Sequence, residues 1–237
     1  MLVVVLVVAA ANVVNDLRDA EADLLGNPGR AIPSGRVTHR DAGRLWVGLC
    51  AAGCLLAISF QDVALAVMAA SCVAAGVVYS YRLKNTVLVG NAFVGLLAGT
   101  PVLYGSLTAG SPTASTWLAA LLIFLFIFGD EVLKAVDDRE ADHAAGLRTV
   151  ATALDVRSGL RVFRAIALCF VAATALPIAL NRAGVLYGIG IMVGAVLPTL
   201  RNVWLLGSRP EAESICAALR LSKAVWFTGM WALWFLG

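Results

Sequence analysis

Residues 114–132 read ASTWLAALLIFLFIFGDEV, and the first charge in that stretch is Asp130. A helix at the edge of a soluble core is apolar on one stripe only, whereas this segment is apolar all round. At 1.5 Å per residue it also has the length to cross the roughly 30 Å hydrocarbon core of a bilayer. Comparable runs lie at about 1–15, 43–60, 63–79, 87–108, 159–180, 184–206 and 221–236. Barrel strands would be about 10 residues long and alternating, so these runs predict helices. The expected fold is all-α: a polytopic transmembrane bundle of eight helices forming a single domain over 1–237.

Composition agrees with the local reading. Charged residues make up 14% of the 237, against about 25% in soluble domains. Apolar residues reach 60% and mean hydropathy is +0.86. An ordinary soluble globule, a disordered tail and a secreted disulfide scaffold are excluded. The five cysteines are odd in number and four sit inside apolar runs, which reads as small buried hydrophobes. No cleavable signal is evident, because the first apolar run lacks a basic region before it.

Eight spans place the connections alternately. Residues 16–42, 80–86, 133–158 and 207–220 fall on one side; 61–62, 109–113 and 181–183 fall on the other. Of the 18 Lys and Arg, only Arg182 belongs to the second side. The positive-inside rule makes the first side cytoplasmic, in a plasma or inner membrane. The net charge of +3 thus reflects topology and implies no nucleic-acid partner. Gly95 and Gly99, and the group Gly184, Gly188, Gly190 and Gly194, read as close helix contacts. Pro101, Pro177 and Pro198 are expected to kink their helices where neighbours take up the freed carbonyls.

The acids do not scatter. Four are Asp16, Asp19, Glu21 and Asp23, and six are Asp130, Glu131, Asp137, Asp138, Glu140 and Asp142, out of 15. If the first helix continues through the first group, Asn12, Asn15, Asp19 and Asp23 share one face. Glu131, Lys134, Asp138 and Asp142 share another, at i, i+3, i+7 and i+11. Like charges stacked at that spacing repel unless a cation lies among them, and Mg²⁺ suits carboxylate, water and phosphate oxygens. A solvated helix extension would explain either group alone. Two groups on one side, each ending the first helix of a four-helix half, suggest a duplicated fold with a site at the pseudo-twofold axis. Arg30, Lys84 and Arg148 lie in the same cytoplasmic segments, which points to a diphosphate held by metal and cations.

The spacing Asn15-Asp16-x-x-Asp19-x-x-x-Asp23, followed by Asn27, Arg30, Pro33, Ser34 and Gly35, resembles the first signature of the UbiA-type intramembrane prenyltransferases. Tyr79-Ser-x-x-Leu-Lys84 with Gly90-Asn91, and Asp138-x-x-x-Asp142 with Gly146 and Thr149, are similar to further parts of that family. The wording from Glu131 through Thr149 is closest to the branch that prenylates glycerol-phosphate acceptors for ether lipids. Ala31, Ala135 and Ala141 depart from that branch's usual residues. Family members have nine helices, one ahead of the first signature, so the resemblance implies a helix missing before Met1, through a start placed too late (the reading preferred) or a shortened chain.

The resemblance implies Mg²⁺-dependent transfer of an isoprenyl group from its diphosphate, through an allylic cation, to an acceptor that the sequence does not name. It implies metal ligation by Asn15, Asp16, Asp19, Asp23, Asp138 and Asp142. Asp19, Lys84, Asp138 and Asp142 would be catalytic, with Arg30, Lys84, Lys134, Arg148, Asn91, Tyr79 and Tyr81 around the diphosphate. The two tyrosines serve equally well as interfacial anchors. His39 and His143 read as surface histidines. Membrane lipid surrounds the bundle, and oligomeric state is not encoded legibly. A terpene cyclase of the same superfamily is the alternative within enzymes. A cation transporter is the alternative outside them, although its acids would belong at the bilayer midplane rather than at the rim.

Overall fold

The computed structural model describes residues 1–144 and 146–236. Among them the chain is helical, with one isolated bridge between Ala183 and Leu236 and no strand. The helices are α1 (Leu2–Gly26), α2 (His39–Ser59), α3 (Val63–Leu83), α4 (Val89–Thr108) and α5 (Ala114–Asp137). Two short helices follow, α6 (Arg139–Ala144) and α7 (Val150–Ala153), and then α8 (Val156–Ala179), α9 (Val185–Ser208) and α10 (Ala212–Leu233). The eight long helices are those the apolar runs predict. Of these, α2, α3, α5, α8 and α9 have the length and apolarity to cross a membrane.

The helices outrun the apolar segments, because hydropathy marks the part in hydrocarbon and not the turns that enter water. α1 continues eleven residues past its apolar run to Gly26, and α10 starts at Ala212, nine residues before its own. Local chemistry fixes several of the starts. The Thr38 hydroxyl accepts from the Asp41 N–H, the Asp62 carboxylate from the N–H groups of Ala64 and Leu65, and Thr113 forms a reciprocal box with Thr116.

The contacts divide the chain into two compact units, Met1–Thr86 with Tyr104–Ser111, and Val87–Leu103 with Pro112–Gly237. The division falls within α4. In the first unit α1 packs on α2 and α3 around Val3, Val7, Ala57, Leu65 and Ala69, with Tyr104 from the end of α4. Gly76 lets α3 approach α1 closely, since a Cβ there would lie 3.2 Å from that of Ala11.

In the second unit Val132, Leu133 and Val136 of α5 pack with Val150, Leu160 and Phe163, and Phe170, Tyr187 and Val225 join a second cluster. Gly95 and Gly99 meet α5: a Cβ at Gly95 would stand 2.8 Å from the Phe124 carbonyl oxygen, and at Gly99 3.1 Å from that of Ala120. Gly190 and Gly194 meet α10 in the same way, whereas a Cβ at Gly184 would meet nothing within 4 Å. Thr174 and Ala175 interrupt α8 just before Pro177. The Tyr187 hydroxyl donates to the Thr174 carbonyl at 3.1 Å, within this interruption. Pro198 follows a π-helical turn at Met192–Val196.

Asp155 caps α8. Hydrogen bonds from the Ser158 backbone and side chain, helped by Arg161 and Arg157, hold its carboxyl below the ordinary range. A depressed folded value means the cap contributes above the unfolded carboxylate range, near pH 4, and is lost as pH falls through the folded value. Wild type will therefore be more stable than Asp155→Ala near neutrality, and the gap in thermal midpoint will narrow as the pH is taken below the ordinary carboxylate range of about 4. A gap of constant size would show that the charge has no part in capping.

Candidate active site

The first acidic stripe forms as its spacing predicts, because α1 runs unbroken through Asp23 to Gly26. Asn15 Nδ2 donates to Asp19 Oδ2 at 2.9 Å, one helical turn on. Lys84, at the end of α3, donates to the same Asp19 oxygen. A π-helical turn at Tyr79–Leu83 ends α3, with the Lys84 N–H on the Tyr79 carbonyl at 2.9 Å. The turn is anchored by Ser80, which is buried and donates to the Gly76 carbonyl at 2.9 Å. Such turns add a residue to one coil of a helix and recur at functional sites.

Arg30 reaches the stripe from the loop after α1. Its guanidinium lies 2.9 Å from Asp23 and 3.5 Å from Asp16. The loop folds on itself to present it: the Arg30 N–H donates to the Asn27 carbonyl, and the Ser34 N–H donates to the Arg30 carbonyl, each at 3.0 Å. Gly35 closes the loop at φ +76°, a left-handed conformation that glycine adopts without strain. Three of the four acids in this group thus face a cation. Asp23 is only 8% exposed, so its pairing with Arg30 is partly sheltered from water.

One atom of the stripe stands apart. Asn15 Oδ1 is buried and has no hydrogen-bond partner among the described residues. A buried amide oxygen left unpaired is costly, and a cation beside Asp19 would relieve it. Among the described residues no three His, Cys, Asp or Glu side chains form a metal cage. An oxygen-only set of few protein ligands, completed by water and phosphate, is what Mg²⁺ uses. The donors present fit that ion.

The second stripe keeps its register through the end of α5. The Asp138 N–H donates to the Lys134 carbonyl and the Asp142 N–H to the Asp138 carbonyl, each at 2.8 Å, so α6 continues the helical path. Glu131, Lys134, Asp138 and Asp142 therefore share a face, and Ile123 and Ile127 extend it toward the membrane interior at the same spacing. The chain reverses at Gly146, φ +67°.

Lys134 bridges two acids of its own helix, Glu131 at 2.8 Å and Asp130 at 3.0 Å. The sequence reading counts Asp130 in the cluster but gives it no role, although its i,i+4 spacing to Lys134 is the signal for this pair. Asp130 is 5% exposed and its other oxygen is buried without a hydrogen-bond partner among the described residues, beside a mostly apolar cavity to which Thr199, Asn202 and Ser222 contribute the other polar side chains.

The remaining candidates are placed as follows. Asn91 Nδ2 donates to the Glu131 carbonyl at 3.0 Å, tying α4 to α5. Tyr79 is half-buried in the π turn. Tyr81 is exposed, and the Arg18 guanidinium carbon lies 5.8 Å from its ring centroid, so one ring face is engaged by a cation. Arg148 is exposed just before α7, and His39 and His143 are exposed as expected.

Below the second stripe, within its own unit, lies an apolar cleft, open on one side, with about 380 Å³ of space counting its open part. Ile123 and Ile127 of the stripe's face line it, with Phe126, Phe170, Trp226 and Met230. Phe126 packs on Phe170 and edge-on to Trp226, with centroids 5.5 and 6.5 Å apart. The helical face that carries Glu131, Asp138 and Asp142 thus continues, one turn inward at Ile127, into the lining of an apolar cleft.

The chain is similar to several known proteins. The chain is 38% identical over 175 residues to the digeranylgeranylglyceryl phosphate synthase of Methanopyrus kandleri, a match covering 74% of this chain and 64% of that one. A solved structure described as digeranylgeranylglyceryl phosphate synthase in membranes superposes with TM-score 0.79 at 25% identity, covering 98% of this chain and 82% of the other. A UbiA homolog from Archaeoglobus fulgidus bound to GPP and Mg²⁺ shares the fold, with TM-score 0.68 at 17% identity over 98% and 88% of the two chains. The model of the UbiA prenyltransferase family matches residues 1–224, and the chain belongs to that family.

Proposed function

We propose that this protein transfers a geranylgeranyl group from its diphosphate to a glyceryl phosphate that already carries one such chain. The observation that carries the reading is the cluster at the end of α1: Asp19 shared by Asn15 and Lys84, with the Asn15 oxygen buried and unpaired. It offers a divalent cation an oxygen set and a diphosphate an ammonium. The relative from Methanopyrus kandleri bears the name of the synthase that makes this product.

In this reading Asn15, Asp16, Asp19 and Asp23 at the end of α1 are magnesium ligands, and Asp138 and Asp142 around the start of α6 are magnesium ligands in their own stripe. When bound, the ion neutralises charge that builds on the departing pyrophosphate. Lys84 and Arg30 supply further positive charge to the same oxygens as the bond breaks, which is electrostatic stabilisation of the transition state. Both cations sit on Asp19, Asp16 and Asp23 in the resting protein. Lys134 and Arg148 serve as outer contacts, and Asn91 holds the Glu131 turn in register.

The C1–oxygen bond of the donor breaks and pyrophosphate leaves with the electron pair. The acceptor hydroxyl oxygen then bonds to C1 and releases its proton. The apolar walls keep water from the allylic cation, and the half-buried ring of Tyr79 shelters it. By its positive charges this face of the membrane is the cytoplasmic one.

The test is an assay of the purified protein in detergent with labelled geranylgeranyl diphosphate, Mg²⁺ and geranylgeranylglyceryl phosphate. Labelled diether and stoichiometric pyrophosphate are expected, and both vanish with EDTA. Hydrocarbon formed without acceptor would make the protein a cyclase. Absence of pyrophosphate release under every condition would overturn the reading.

A further inference from the structure

Gly229 lies inside α10, where glycine is less favourable than alanine because it leaves the backbone freer in the unfolded chain. Neighbouring glycines in this region have a reason to be glycine. A Cβ at Gly194 would come within 2.9 Å of the Thr228 carbonyl oxygen, and one at Gly190 within 3.3 Å of the Ala232 side chain. At Gly229 the nearest atoms to a Cβ are those of Ala195 at 3.7 Å and Val225 at 4.0 Å, which is ordinary contact. Its φ is not positive either. Neither backbone conformation nor helix packing calls for glycine here.

What Gly229 does border is the apolar cavity, together with Ile127, Phe170, Ala195, Trp226 and Met230. The cavity is open to the surroundings of the protein near Trp226 and Met230, which are 38% and 50% exposed. Its helical face runs from the acids inward. Asp138 to Ile127 spans about 16 Å along α5, and Asp138 to Leu122 about 24 Å. A short prenyl tail whose diphosphate sits at Asp138 ends before or at the mouth of the cavity. A long one must pass through it.

We propose that Gly229 is a specificity-determining residue: by lacking a side chain it keeps the cavity open for the distal isoprene units of a long-chain prenyl diphosphate. The inference rests on the function proposed above and deepens it, assigning tail-length selection to one position of α10. A branched side chain at 229 projects into the cavity and blocks long tails, while short tails, which stop nearer the acids, are unaffected.

The test compares wild type with Gly229→Ala, Gly229→Val and Gly229→Leu, each purified in detergent with Mg²⁺ and geranylgeranylglyceryl phosphate. The donors are dimethylallyl, geranyl, farnesyl and geranylgeranyl diphosphates. For Gly229→Leu, kcat/KM with the geranylgeranyl donor should fall about tenfold or more relative to the geranyl donor. Gly229→Val should show a smaller shift of the same sign, and Gly229→Ala none. Equal loss with every donor in both Val and Leu variants, or an unchanged donor profile, overturns the inference while wild type remains active. A wild type inactive with all four donors overturns the function proposed above as well.

Discussion

Asp138→Asn will reduce pyrophosphate release by about 10²–10³-fold while leaving the thermal midpoint in detergent near that of wild type. Asp138 is exposed at the junction of α5 and α6, and its backbone N–H and carbonyl carry the helical path into α6. Asn keeps those backbone bonds and the side-chain size. Only the charge goes, and with it an oxygen that magnesium prefers. The loss should fall on kcat and on the magnesium requirement together, because the carboxylate's part is to bind the metal-bound leaving group. Measuring pyrophosphate release against magnesium concentration separates this from unfolding. Turnover like that of wild type would remove the second stripe from the chemistry.

Gly95→Val is expected to damage the fold rather than the chemistry. α4 and α5 approach so closely at this point that a Cβ would stand 2.8 Å from the Phe124 carbonyl oxygen and 3.2 Å from the Phe128 Cβ. The obstructing atom is backbone, so no rotamer change relieves it. Overpacking of this kind costs about 1–3 kcal/mol, and a branched residue should reach the upper end. The control is Gly43→Ala in α2, where a Cβ meets nothing within 4 Å and helix propensity favours the change. Resistance to detergent denaturation should fall clearly for Gly95→Val and hold or rise for Gly43→Ala. Equal behaviour would mean that α4 and α5 can part without penalty.

Much of this architecture is legible in the sequence. Eight apolar runs gave eight long helices because hydrocarbon imposes a length and a composition that few other environments demand. Both acidic stripes were readable from i,i+4 spacing, since α1 and the α5–α6 path keep helical register through them. The glycines at 95 and 99 announce the close approach of α4 to α5. The helix ends were less visible: α1 and α10 continue into charged sequence that carries no hydropathy signal. The π turn at Tyr79–Leu83 was not visible, because it depends on Gly76 and Ser80 packing in three dimensions. The long-range choice of Asp19 by Lys84, 65 residues away, follows from that turn and from no local pattern. The role of Gly229 was equally hidden, for it depends on what a side chain would not touch.

The π turn also has an evolutionary corollary. One residue of an α-helix corresponds to about 100° of rotation, so a single-codon deletion within 79–83 would restore regular coiling while swinging the ammonium of Lys84 off the α1 side. A lineage that loses this extra residue should lose the Asp19 partnership with it, and would have to recruit another cation onto the carboxylate or abandon that carboxylate altogether.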